Sequence, residues 1–203
     1  MDAAAEVHGT GALDGHAVEA AGRTDLAIAR DYLRAAGVAE ETIDAEAAEV
    51  ARRAVTRFAQ LCPPDLSPRV APGIPELLQA LDGRPHEFRL SLVTGNLEPV
   101  ARLKLERAGI GHRFPAGQGG FGSDHPARAR LPAIARGRMA EPPWPRDRTV
   151  VIGDTPRDIA CARADQVRVA AVATGPFAVE ALADADAVAD DARSLLPVLE
   201  DWL

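Results

Sequence analysis

Two short stretches place oxygen-bearing side chains directly after apolar runs: Thr94 in "SLVTGN", and Asp154, Thr155 and Asp158 in "VVIGDTPRD". A run rich in Val, Ile and Leu that breaks at Gly or Asp reads as a strand, and in open parallel sheets ligands sit outside the carboxyl ends of the strands. A threonine hydroxyl delivered there can donate to a phosphoryl oxygen, while a carboxylate suits a hard divalent cation such as Mg2+. The chemistry open to such a pair is capture of a phosphorylated ligand beside a metal. The same residues also make a plain helix entry, because Asp154 or Thr155 ahead of Pro156 supplies a cap and a first-turn proline. Two matched strand ends, each with its own following helix, weigh toward the ligand site.

The elements that must position these residues follow from periodicity. "RTDLAIARDYLRAAGV" reads as a helix capped by Thr24, with Leu26, Ala29, Leu33 and Ala36 on one face and Gly37 as the stop. "ETIDAEAAEVARRAVTRFAQLC" repeats Ile43, Ala47, Val50, Ala54, Phe58 and Leu61 at steps of four and three, a second helix that pairs with the first. The Pro-rich "PPDLSPRVAPG" ends this helical unit at Pro72-Gly73. From Ile74 onward short apolar strands ("FRLSLVT", "TVVIGD", "VRVAAVAT") alternate with helices, one of them "PARARLPAIARGRM", and a short strand and a helix close the chain. That alternation implies βαβ units and a parallel sheet.

Composition narrows the function classes. The chain has 203 residues, 47% of them hydrophobic and 26% charged, enough for a full-sized domain core. A net charge of -7 without a free-standing Lys/Arg cluster argues against general nucleic-acid affinity. Cys62 and Cys161 lack metal-ligand spacing and read as buried free thiols. No apolar run suits a membrane span or signal peptide, so no membrane partner and a cytoplasmic location are expected. Lys104 is the sole lysine among 23 basic residues, a bias of GC-rich bacterial genes.

On these residues the chain resembles the haloacid dehalogenase-like hydrolases, most of which are Mg2+-dependent phosphatases. "SLVTGNLEPVARLKLERAGI" is similar to the family's second motif, which implies that Thr94 binds the transferring phosphoryl group, with Gly95 and Asn96 beside it. "VVIGDTPRDIACARA" is similar to the fourth motif, which implies Mg2+ ligation by Asp154 and Asp158. "GFGSDHPARARLPAIA" stands where the third motif supplies a cation, with Arg128 as the candidate and Arg130 one helical step away. "GRTD", Gly22 to Asp25, resembles the approach of the family's cap to the site, and Arg23 is a candidate substrate contact.

The resemblance implies a doubly wound, Rossmann-like α/β core over 72–203, an all-helical cap over 8–71, and a remnant of the first helix over 1–7. It also exposes a departure. Family members open with a strand ending in Asp-x-Asp-Gly-Thr, whose first Asp attacks phosphorus and whose second protonates the leaving group. Asp2, Glu6 and Asp14 follow no such strand. That strand lies at the centre of the family's sheet, and its apolar burial is worth on the order of 8–15 kcal/mol, comparable to the whole stability of a domain. The expectation is therefore a start codon upstream of Met1, a phosphomonoester phosphatase in its full-length form, and no turnover from the chain as written. Two alternatives stand beside it: a pseudophosphatase acting as a binding or regulatory module, and an unrelated phosphate- or nucleotide-binding α/β protein. The expected partner is a small phosphorylated metabolite.

Other features carry plainer readings. "GQGGFG", Gly117 to Gly122, matches a dinucleotide fingerprint but follows no convincing strand and reads as a short strand with a turn. Asp124 and His125 are expected to cap the next helix. His8, His16, His86 and His112 lie in loops without a nucleophile, Trp144 in a surface loop, Trp202 on the packed face of the last helix, and Lys104 on a solvated helix face.

Overall fold

Sequence periodicity turns into structure most directly in the first two helices. The computed structural model describes residues 22–203; the 1–7 remnant, the first part of the cap segment, Asp2, Glu6, Asp14, His8 and His16 lie outside the described residues. Helix α1 (Asp25–Ala35) starts where Thr24 Oγ1 accepts from the Ala27 N–H at 3.1 Å, and α2 (Glu40–Leu61) returns antiparallel to it. Leu33, Ile43 and Val50 bury against each other as the shared seam. The two helices lean on the rest of the chain through the far end of α2, where the Leu66 N–H donates to Arg107 O at 2.9 Å and Arg107 also donates to Cys62 O.

From Ile74 the βα alternation unfolds as α3 (Ile74–Asp82), β1 (Val93–Thr94), α4 (Glu98–Arg107), β2 (Gly120–Phe121), α5 (Leu131–Met139), β3 (Val150–Gly153), α6 (Pro156–Ala164), β4 (Arg168–Val172), β5 (Ala187–Ala189) and α7 (Leu195–Asp201). Every strand pairing is parallel. Strand β4 is buried on both faces, as a parallel strand covered by helices must be. Its Ala170 and Val172 pack on Leu77 and Leu81 of α3 and Leu195 and Leu199 of α7. Its Val169 and Ala171 pack on Val151, Ile159 and Ala162 from the other side. Helices on both faces make the core doubly wound. Trp202 packs on the first cluster, and both cysteines are free and buried.

The sheet is in two pieces among the described residues, β1–β2 and β3–β4–β5. Here the expectation of a seven-residue strand in "FRLSLVT" is corrected: the ladder covers only Val93↔Gly120 and Thr94↔Phe121. A parallel strand needs neighbours, and no described residue pairs β1 with β3. The consequences are visible on both sides of the break. Ile152 of β3 is 37% exposed, and Ser91 Oγ is buried without a described hydrogen-bond partner.

Three smaller expectations also change. The helix read over 126–139 begins as a 3-10 turn, Arg128–Arg130, and becomes α-helical only at Leu131. Asp124 does not cap it; its carboxylate accepts from the Phe121 N–H at 2.8 Å and pairs with Arg138, while His125 Nδ1 accepts from the Ala127 N–H. Trp144 is half-buried, with the Arg89 and Arg148 guanidinium groups 5.3 and 5.7 Å from its ring centroid.

Beneath this loop, Arg136 donates to both oxygens of Asp165 at 2.7 and 2.9 Å, and both residues are buried. Each partner is tied further: Arg136 Nη1 donates to Trp144 O at 2.6 Å, and Arg146 Nε donates to the backbone carbonyl of Asp165 at 2.8 Å. A buried pair with its hydrogen bonds satisfied is tolerated, but removing one partner strands a charge. Asp165→Ala is expected to lower unfolding free energy by about 3–5 kcal/mol, read from urea denaturation; a loss below about 1 kcal/mol, the level of an exposed pair, would show that the pair contributes little.

Candidate active site

At the carboxyl ends of β1 and β3 lies a cavity of about 320 Å³ lined by Arg23, Asp25, Thr94, Gly95, Asn96, Arg128, Asp154, Thr155 and Asp158, with Gly22 and Ile28 completing the wall. Arg23, Thr94, Gly95, Asn96, Arg128, Asp154 and Asp158, candidates from the sequence, all line it. Thr94 is the last residue of β1, and Asp154 follows the last residue of β3, so the sheet's topology alone brings hydroxyl and carboxylate to one lip.

The turn after β3 is built around Asp158. One of its oxygens, Oδ2, accepts from the Asp154 N–H (3.1 Å), the Thr155 N–H (3.0 Å) and the Thr155 hydroxyl (2.8 Å). The other, Oδ1, accepts from Arg128 Nη2 at 2.5 Å. Thr155 Oγ1 in turn accepts from the Asp158 N–H, closing a reciprocal cap on α6. The helix-entry reading and the ligand-site reading of "GDTPRD" thus describe one structure. Gly153 is required here, because a Cβ on it would come within 2.3 Å of Asp158 Cγ. Arg128, on the 3-10 turn before α5, is the arginine that enters the cavity; Arg130 does not line it.

Asp154 is placed differently. Apart from its own backbone N–H, no described residue is recorded donating to its carboxylate, and Gly175 backs it so closely that a Cβ there would lie 2.2 Å from Oδ2. Burial, then the neighbouring Asp158 charge, pushes its pKa above the ordinary carboxylate value. Two neighbouring acids with oxygen-only donors suit a hard divalent cation, and a cation would relieve both the burial and the repulsion. Asp154 has the open oxygens for direct ligation, whereas Asp158 is already engaged at both. No three acidic, His or Cys side chains converge among the described residues, so the set is partial.

The opposite wall is a strap, residues 22–25, laid on the loop after β1. The Asp25 N–H donates to Gly95 O at 2.8 Å, and a Cβ on Gly95 would sit 2.0 Å from Arg23 O. Thr24, 1% exposed, donates from Oγ1 to Pro126 O at 2.6 Å. Asp25 accepts from Asn96 Nδ2 at 3.1 Å and from the Leu97 N–H at 2.9 Å. Arg23 Nη2 is held by Asp31 at 2.5 Å.

Two residues escaped the sequence reading. Asp25 was quoted within "GRTD" but given no role, and its only signal was its place beside the Thr24 cap. Lys104 was read as solvated; instead it is half-buried and donates to Asn96 Oδ1 at 2.8 Å.

This geometry can be set beside known proteins. The family model described as haloacid dehalogenase-like hydrolase matches residues 3–163. The chain belongs to that family. Comparison with curated proteins gives no significant match. Among solved structures, a hydrolase from Pseudomonas syringae is similar at TM-score 0.58 and 19% identity, over 81% of this chain and 73% of that one. CbbY from Rhodobacter sphaeroides, in complex with phosphate, is similar at TM-score 0.50 and 18% identity, over 80% of this chain and 71% of that one. At such identities the likeness shows the fold. No helix among the described residues is long and apolar enough to cross a membrane.

A carboxyl whose folded-state pKa is raised favours the fold only in its protonated form. That contribution is present below the ordinary value of 3.8 and is lost as pH rises through the folded value. Asp154→Asn is therefore expected to raise the urea midpoint at pH 7 in metal-free buffer, with the advantage shrinking as pH falls toward 3.8. An Asn variant less stable than the parent at pH 7 would contradict the strained placement of this acid.

Proposed function

We propose that this family member is built for Mg2+-dependent hydrolysis of small phosphomonoesters through an aspartyl phosphate. The observation that carries the reading is the convergence of Thr94, Asn96, Arg128 and Asp154 on one cavity at the sheet's lip. In this scheme the Thr94 hydroxyl and the Gly95–Asn96 loop grip the phosphoryl oxygens, and Arg128, oriented by Asp158, faces the same charge from across the cavity. Asp154 would hold Mg2+, with Asp158 shaping the turn behind it; the bound cation supplies charge neutralisation of the phosphoryl group. The cavity suits a small substrate. The phosphate bound by the Rhodobacter sphaeroides protein of the same fold is in keeping with this reading.

The broken sheet supports a second part of the proposal. Strands β1 and β3 flank the cavity without a described strand pairing either edge toward the other, and Ile152 is left partly bare. A strand between them would end at the cavity, where the nucleophilic carboxylate is needed, and we propose that chain upstream of Met1 supplies it. An in-frame Asp-x-Asp-Gly-Thr before Met1 supports this; an in-frame stop there favours a binding role instead.

The test is hydrolysis of p-nitrophenyl phosphate by the extended protein with and without Mg2+. Activity requiring Mg2+ is expected, with Thr94→Ala lowering kcat by about 10²-fold, the usual cost of one transition-state donor. An extended protein that carries the motif and still shows no hydrolysis would overturn the reading.

A further inference from the structure

Asn96 stands between two opposite charges, and that arrangement extends beyond the cavity into the helical pair. Its Nδ2 donates to Asp25 at 3.1 Å, and its Oδ1 accepts from Lys104 Nζ at 2.8 Å. A carboxylate only accepts and an ammonium only donates, so the amide has one orientation: turning it over would set N–H against N–H and oxygen against oxygen. Its backbone is equally committed. The Asn96 N–H donates to Thr94 Oγ1 at 3.2 Å, and its carbonyl accepts from the Gly122 N–H at 2.9 Å.

Lys104 reaches further. Its ammonium also lies 5.3 Å from the centroid of the Phe58 ring, on the far end of α2. One cation thus touches a cavity-lining amide and an aromatic ring of the helical pair at once. The chain's other basic residues are all arginine. A guanidinium is a flat fork, whereas an ammonium is a compact point charge on a flexible stem, able to meet a single amide oxygen under a ring.

Resting on the phosphate-site reading above, we propose that Lys104 is a positioning residue: it holds Asn96 with its amide N–H groups toward Asp25 and the cavity, and couples that orientation to helix α2 through Phe58. Without it, the Asn96 oxygen loses its donor and Asp25 alone holds the amide, so the turned-over orientation costs less and the cavity presents its donors to an anion less consistently. Phe58 then has no polar link to the site.

The experiment uses the full chain and two independent readouts. The first is the Asn96 side-chain amide in 15N NMR, which needs no ligand. Slowly exchanging amide protons with shifts displaced from those of a free asparagine are expected in the parent, and fast-exchanging protons near the free-asparagine shifts in Lys104→Met. An Asn96 amide unchanged in Lys104→Met would overturn the proposal.

The second readout is inorganic phosphate binding with Mg2+ by calorimetry. Lys104→Met is expected to weaken it at least about tenfold and Phe58→Leu by about threefold, each a tenfold step being worth 1.4 kcal/mol. In an Asn96→Ala background, Lys104→Met is expected to cost nothing more, because it acts through that amide. An undiminished Lys104→Met effect in that background would mean that the lysine acts by bare charge, and would overturn the proposal. If the parent chain binds no phosphate, the phosphate-site reading is what fails, and the NMR result alone decides the role of Lys104.

Discussion

The lip of this sheet depends on how the Asp158 carboxylate is used. Buried at the start of α6, it accepts from two backbone N–H groups, one hydroxyl and one guanidinium. Four donors, one of them the Arg128 guanidinium, thus meet on a single carboxylate in the first turn of α6. Through them the β3 turn, the first turn of α6 and the turn carrying Arg128 become one rigid piece. Asp154 follows from that arrangement: the turn leaves it at the cavity with its carboxylate met by no donor from another described residue, beside a like charge. A protein seeking only stability would not keep an acid there, and such a placement is characteristic of a site whose function needs charge.

Facing it, the 22–25 strap and the loop after β1 form a second rigid piece by a different device. Here close backbone approach does the positioning, with Gly95 lacking the Cβ that would collide with Arg23 O. Asp25 and Asn96 then lock the strap to the loop by polar bonds. Lys104 and Phe58 continue this chain of contacts from the cavity wall to α2. The Arg23–Asp31 pair sits beside that wall and is partly exposed.

Much of this was legible in the residues themselves, for physical reasons. Thr94, Asp154 and Asp158 were visible because strand ends in parallel sheets share a lip, and helix α2 was visible because its stripe runs at steps of four and three. Arg128 was separable from Arg130 only in three dimensions, since the local 3-10 turn, not an α-helix, sets which of the two faces inward. The extent of β1 was overread because a strand is made by its neighbours and "FRLSLVT" has a described partner only at its end. Lys104 was misread because a residue eight positions beyond Asn96 falls beside it only after the helix between them has packed. Asp25 was hidden for the same reason, with 71 residues separating it from its amide partner.

The most direct test of the central claim is a crystal structure of the protein soaked with tungstate, a heavy mimic of phosphate, together with Mg2+. One anion bounded by Thr94, Asn96 and Arg128, with a cation on Asp154 and the Asp158–Arg128 pair intact, is the result expected. Tungstate bound away from the strand ends, or Asp158 released from Arg128 while Asp154 stays empty, would contradict the account.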